Sequence, residues 1–179
     1  RQGWRPRRSI LFASWDGEEQ ALLGSTEWVE DLGSEIAAKA AVYLNRDAGA
    51  TGPFFASSAV PSLTPFVYEL AQSIASDRPA ETLYDRWLER ARELSPSRPG
   101  EPMLKVPGVG ALGSGSDYTA FLDHIGISSL DMGVSKPGAD GAYHSAYDDP
   151  AWFKAFIDPH FTYSVLAAQV TGVAVLRFA

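Results

Sequence analysis

A net charge of −7 on 179 residues makes the chain a poor partner for a phosphate backbone, and its one basic cluster, RPRRS (Arg5 to Ser9), is too short to change that. A hydrophobic content of 45% and a charged content of 21% are those of an ordinary globular domain, with length enough for one sizeable core. No apolar window approaches a membrane-spanning length, and with no cysteine there are no disulfides and no thiolate metal sites.

The chain opens RQGWRPRR, with neither an initiator methionine nor a signal peptide, and reads as a piece of something larger. RRSILFASWD (Arg7 to Asp16) has a continuous apolar centre, Ile10 to Ala13, which predicts a buried, parallel strand. Gln20 to about Leu32 predicts a helix, with Leu22, Leu23, Thr26 and Val29 at helical spacing and Gly33 as its stop. AAVYLNRD (Ala40 to Asp47) reads as a second buried strand and GPFFASSAV (Gly52 to Val60) as a third. Pro61 to Asp77 predicts a helix with Pro65 in its first turns, and Thr82 to Leu94 a charged amphipathic helix. The Pro- and Gly-rich stretch SPSRPGEPMLKVPGVG is a long surface loop. A helix then begins near Ser116, and ISSLDMG (Ile127 to Gly133) is a fourth strand. The polar loop SKPGADGAYHSAYDDP leads to a short helix and to a final buried helix, with Asp158 as its N-cap and Pro159 in its first turn. Strands and helices alternate, so the predicted fold is α/β: a mostly parallel sheet with helices on both faces, in one domain spanning 1–179.

In open α/β sheets, ligands bind beyond the C-terminal ends of the strands. Acidic residues stand at such ends: Glu18 and Glu19 after the first strand, Asp47 after the second and Asp131 at the fourth. His144 lies in the loop sequence GAYHSAYDD. Carboxylates and a neutral imidazole suit an oxygen- and nitrogen-ligated zinc site. A carboxylate beside the metal can take a proton from water, so adjacent glutamates could divide the roles of ligand and base. The same residues also read as solvated surface charges. Asp117 reads as an N-cap, His124 and His160 as ordinary polar positions, Trp15 and Trp28 as packing residues, and Asp16 as a support for the glutamate loop.

RPRRSILFASWDGEEQALLGSTEWVED resembles the glutamate carboxypeptidase II branch of the zinc aminopeptidase-like families, which also contains the transferrin receptor. The likeness continues through YLNRD, TLYDRWLERARELSPS, LGSGSDYTAFLDHIGI, AYHSAYDD and DPHFTYSVLAAQV, nearly the whole chain in the family's order. It implies a three-layer α/β/α fold and a peptidase with two zinc ions and a peptide substrate. By position, Glu18 resembles the general base, Glu19 and His144 ligands of one zinc, and Asp47 a ligand of the other. Tyr143 matches a tyrosine whose hydroxyl stabilises the tetrahedral intermediate, a contribution of about 3 to 4 kcal/mol for a donor aimed at a developing oxyanion. Glu27 and Glu30 match two ligands of a structural calcium, and share one helix face; alone they would be a solvated face. Gly115 and Ser116 match residues lining the substrate cleft.

The resemblance also implies ligands outside this chain: a histidine, an aspartate bridging both zincs and two calcium ligands, all upstream of GWRPRR. The chain is therefore expected to be the C-terminal part of a peptidase domain, unable to assemble the full site alone. It would lack the protease-associated domain and the C-terminal helical domain through which the family dimerises. Asp131 and Gly133 stand where two arginines of the family's acid-binding patch are expected, and Ser116 replaces an asparagine. Asp131 should repel an acidic side chain. The family further implies an exported or extracellular protein, with neither nucleic acid nor membrane touching this segment. The competing expectation is a non-catalytic, transferrin-receptor-like binding domain.

Overall fold

In the computed structural model, which describes residues 3, 5–47, 50–136 and 141–179, a three-stranded mixed sheet forms in the order β1-β3-β2. Its strands are β1 (Tyr43–Asn45), β2 (Phe54–Ala59) and β3 (Ser129–Ser135). The central β3 runs parallel to β1, with Asn45 opposite Asp131, and antiparallel to β2, with Ser58 opposite that same Asp131. The strand at 127–133 and those at 40–47 and 52–60 are therefore present in shorter or shifted form. The sheet holds one parallel and one antiparallel pairing rather than a parallel majority.

Alternation along β3 assigns its two faces. Leu130, Met132 and Val134 are buried in the main core with Phe55 and Ala59 of β2. Three helices supply the other side of that core: α2 (Thr64–Gln72) through Val67, Leu70 and Ala71, α3 (Leu83–Leu94) through Leu83 and Trp87, and the last helix, α5 (Thr162–Phe178), through Ala167, Val170 and Ala174. A 3-10 turn at Pro61–Leu63 leads into α2, which carries Pro65 in its first turn as expected. Helix α3 begins with a reciprocal capping box: Asp85 N–H donates to the Thr82 hydroxyl, and Thr82 N–H donates to the Asp85 carboxylate.

A second cluster gathers around Phe121, with Val29, Ala120 and Ile127 and the partly buried Trp15, Trp28 and Tyr43. Trp15 and Trp28 are packing residues here, as read from the sequence. Their ring centroids lie 5.3 Å apart, and the Trp15 indole N–H donates to the Tyr43 hydroxyl at 3.0 Å. Helix α1 (Leu23–Lys39) builds this cluster and runs well past its expected end. Gly33 is not its stop but a buried interior residue. A Cβ there would lie 3.2 Å from Ile125 Cγ2, so the glycine is a point of close packing.

The largest departure is at Ile10 to Ala13, which is not a strand. Leu11 and Phe12 are 70% and 81% exposed. The N–H groups of Arg7 and Arg8 instead donate to the carbonyl of Ala179 at the end of α5, and the segment makes no ladder with the sheet. A strand is defined by its pairing partner, and an apolar run without one stays extended and solvated. The helix expected to begin near Ser116 forms from 118 and is short, its body a π-type turn, Ala120–His124. The polar loop before the last helices lies partly outside the described residues, at 137–140. Beyond it, the short α4 (Pro150–Trp152), N-capped by Asp149, continues into a π-type turn, Phe153–Ile157. Asp158 caps α5, but from further off than expected. Its carboxylate accepts from both N–H and Oγ of Ser164, while Pro159 sits in the turn ahead of the helix. No single helix among the described residues is long and apolar enough to cross a membrane.

Candidate active site

Both glutamates sit in a tight turn just before α1. The Leu22 N–H donates to the Glu18 carbonyl, and the N–H groups of Leu23 and Gly24 donate to the carbonyls of Gly17 and Asp16. A Cβ at Gly24 would lie 2.6 Å from the Asp16 carbonyl oxygen, so only glycine lets the helix start this close to the loop. Asp16 thus supports the glutamate turn. Gly17, Ala21 and Leu22 all have positive φ, a local strain for the alanine and the leucine. His144, also at positive φ, comes from a different segment, yet its Nε2 lies 2.7 Å from Glu19 Oε1. Its ring stacks on Tyr143 with centroids 3.8 Å apart. The His144 and Glu19 side chains are 54% and 60% exposed, so as an ion pair they would add only about 0–1 kcal/mol of stability.

A second group forms around Asn45, at the end of β1. Asn45 is buried, and its Nδ2 reaches Asp47 Oδ1 at 3.1 Å, Ser116 Oγ at 3.1 Å and Asp131 Oδ1 at 3.0 Å. Ser116, also buried, donates from its hydroxyl to Asp47 Oδ1 at 2.7 Å. Gly115 precedes it, and its N–H donates to the Tyr118 hydroxyl. Asp47, Ser116 and Asp131 are thereby drawn from three segments onto one amide. Asn45 was not among the residues singled out from the sequence; an asparagine inside a strand carries no spacing signal. Asp117 is not the helix cap expected from the sequence. It is buried, its Oδ1 has no hydrogen-bond partner, and no side chain caps the turn that follows.

The two groups are electrostatically one site. Burial, and then the negative charges of Glu19, Asp117 and Asp47, push the Glu18 carboxyl up, with His144 pulling the other way. Burial and the charge of Asp47 likewise raise Asp117 and Asp131, against hydrogen bonds from Ser25 and Asn45 respectively. Burial pushes the Tyr43 hydroxyl up to about 12. A carboxylate held above its ordinary range by like charges is suited to accept a proton. A cavity of about 820 Å³ opens beside Asp47 and Arg46, walled by Ile10, Phe12 and residues of α5 that include Ala168 and Thr171.

The donor chemistry fits zinc: an imidazole nitrogen and a carboxylate oxygen already meet at one point, with further carboxylates nearby. The number of donors is short, because no group of three or more His, Asp or Glu able to hold a metal occurs among the described residues. Glu27 and Glu30 are exposed on α1, away from this site's hydrogen bonds. Glu30 borders a smaller cavity of about 340 Å³ with Thr26, Thr119, Asp123 and His124.

The model of peptidase family M28 matches residues 1–156. The chain belongs to that family. M28 is a family of hydrolases, and the curated relatives carry peptidase names. A probable glutamate carboxypeptidase of Arabidopsis thaliana is 37% identical over 100% of this chain and 24% of its own length. A probable glutamate carboxypeptidase of Arthroderma benhamiae is 40% identical over 96% of this chain and 22% of its own. The aminopeptidase NAALADL1 of Mus musculus is 33% identical over 97% of this chain and 24% of its own. This M28 chain therefore spans about a quarter of the length of the curated relatives it matches.

Proposed function

We propose that the chain is the C-terminal part of the catalytic domain, three-layered when complete, of a zinc-dependent exopeptidase. Glu18 is its general base; Glu19, His144 and Asp47 are metal ligands. The observation that carries this reading is the meeting of Glu19 and His144, 2.7 Å apart and from separate segments, beside a Glu18 carboxyl raised by burial and by the charges of Glu19, Asp117 and Asp47. A histidine–glutamate contact beside carboxyls that raise one another suits a site that holds cations better than a surface built for contact. A binding domain of the transferrin-receptor kind has no physical use for them.

When bound, zinc would supply Lewis-acid activation of water and of the scissile carbonyl. Glu18 accepts the proton of the attacking water and hands it to the leaving amine. A general base of this kind contributes about 10²–10⁴ in rate. Tyr143, stacked on His144 and 68% exposed, is the residue whose hydroxyl would meet a developing oxyanion. Asn45 and Ser116 hold Asp47 in place. Two zinc ions in the complete site, and calcium at Glu27 and Glu30, belong to this same reading.

The test is zinc content per chain, by elemental analysis after zinc loading and dialysis, for wild type, His144→Ala and Glu18→Gln. Retention in wild type and Glu18→Gln with loss in His144→Ala is expected. Loss in Glu18→Gln would make Glu18 a ligand rather than a base. No zinc in the wild type would overturn a half-site already formed in this chain.

A further inference from the structure

Packing accounts for the Trp15 ring but not for its indole N–H. The ring lies against Trp28 of α1 and against Phe121, at centroid distances of 5.3 and 5.8 Å. A phenyl ring would fill much of that place. An indole adds a donor, which needs an acceptor once the ring is partly buried. The acceptor is the Tyr43 hydroxyl, 3.0 Å away and 28 residues along the chain.

Each end of this bond leads to a part of the candidate site. Trp15 stands directly ahead of the turn that carries Glu18 and Glu19, and the residues before it, 11–14, are exposed and outside the sheet. The backbone bonds that close the turn come from Leu22, Leu23 and Gly24, so they tie it to its own helix and not to the sheet. At the other end, Tyr43 opens β1. Leu44 packs against the main core, which puts Tyr43 and Asn45 together on the opposite face. Asn45 in turn donates to Asp47 Oδ1 at 3.1 Å. Tyr43 is itself held, stacked on Phe121 with centroids 3.9 Å and planes 9° apart.

We propose that Trp15 is a positioning residue: through the Tyr43 hydroxyl it sets the place of the Glu18–Glu19 turn relative to the strand that leads to Asp47. The inference rests on the peptidase reading for what the turn carries, and on the bond itself for how the turn is held. The turn is a strained one, with Gly17, Ala21 and Leu22 at positive φ, and a cross-link to a paired strand removes freedom that its own helix leaves. Metal ligands tolerate little drift. A working constellation is held to within about 0.5 Å, and loss of a group that orients a ligand costs about 10–100-fold in metal affinity. Trp15 touches no reacting atom; it acts through the glutamates it places.

The experiment compares wild type, Trp15→Phe, Tyr43→Phe and the double variant of the 179-residue chain. Each keeps its rings in the aromatic cluster and lacks the bond. NMR of the ¹⁵N-labelled chain is the first readout. The indole signal missing in Trp15→Phe belongs to Trp15, and it should move upfield in Tyr43→Phe. Tyr43→Phe deletes a single oxygen atom on β1, yet it should shift the amides of 17–19 and, through the contact of Glu19 with His144, that of 144. Added to Trp15→Phe it should shift them no further, because the bond is already gone. Zinc affinity, by competition with a chelator, is the second readout. It should fall about tenfold in either single variant and no further in the double. Packing alone gives a different pattern: shifts confined to the surroundings of 28, 43 and 121, losses in urea midpoint that add in the double variant, and unchanged zinc affinity. That pattern overturns the proposal. Unmoved amides at 17–19 in Tyr43→Phe overturn it whether or not zinc binds. A wild type that takes up no zinc while those amides move overturns the metal reading and leaves Trp15 as the residue that places the turn.

Discussion

Replacing Asn45 with alanine removes the one amide that Asp47, Ser116 and Asp131 share. Asp47 is exposed, and water takes over that bond at little cost. Ser116 Oγ is buried and Asp131 half-buried, so their lost hydrogen bonds weigh more. A buried acceptor left unsatisfied costs about 1–3 kcal/mol, and bonds to charged groups lie at the upper end. The expected loss is about 2–3 kcal/mol, or roughly 4–12 °C in melting temperature for a chain of this size. Urea denaturation followed by circular dichroism, with an unchanged slope, is the assay. Asn45→Asp supplies an internal check. It would set a third carboxylate against Asp47 and Asp131, so its loss should exceed that of the alanine variant at pH 8 and shrink towards pH 5. A change of less than about 0.5 kcal/mol for Asn45→Ala, the range of ordinary surface substitutions, would refute the idea that this amide organises the site.

Two further predictions concern ionisation. Asp131 has its carboxyl raised in the fold by burial and by Asp47, so the folded chain holds that proton longer than the unfolded one. Its contribution to stability is then greatest below the ordinary carboxylate range and is lost as pH rises from there through the raised value. Asp131→Asn should flatten that part of the stability–pH curve; an unchanged curve would show that Asp131 is not under strain. Asp158 behaves in the opposite sense. Burial pushes its carboxyl up, but N–H groups of Ser164, Tyr163 and Thr162 and the Ser164 hydroxyl pull it down further, so its net shift is downward. Its stabilisation is present above the ordinary carboxylate range and is lost as pH falls through the lowered value. Asp158→Ala should cost about 1–2 kcal/mol at neutral pH, the usual value of a helix cap, and less at low pH; equal losses at both would remove the charge from the account.

Much of this fold was legible because its elements carry local signals. Thr82 and Asp85 announce the start of α3 by their spacing, and the alternation of Leu130, Met132 and Val134 marks a strand with one buried face. The segment Ile10 to Ala13 shows where such signals fail. Its composition is that of a buried strand, but a strand also needs an edge to pair with, and composition does not specify one. Gly33 was misread for a related reason: glycine ends helices, but it also admits close packing, and the partner that decided the matter, Ile125, is far away in sequence. At the site, residue type and the family resemblance singled out Glu18, Glu19, Asp47 and His144, since the strand expected ahead of the glutamates does not form. The meeting of Glu19 with His144 depends on two turns of positive φ that no residue pattern announced, since neither Leu22 nor His144 is a glycine. Asn45 escaped notice because its importance lies wholly in what surrounds it.

On β3 a residue of the candidate site and the residues that fill the core alternate along one strand. Asp131 stands between Leu130 and Met132, which are 0% and 1% exposed and cannot be enlarged or trimmed without shifting the strand they share. The hydrogen-bonded neighbours on both sides leave that strand little freedom to absorb the shift. Core packing and the position of the Asp131 carboxylate are therefore inherited together. A change of volume on the hidden face would be felt on the open face as a displaced charge, so the geometry around Asn45 could drift through substitutions that never touch the site. A comparison of related chains that looked only at cleft residues would miss the cause.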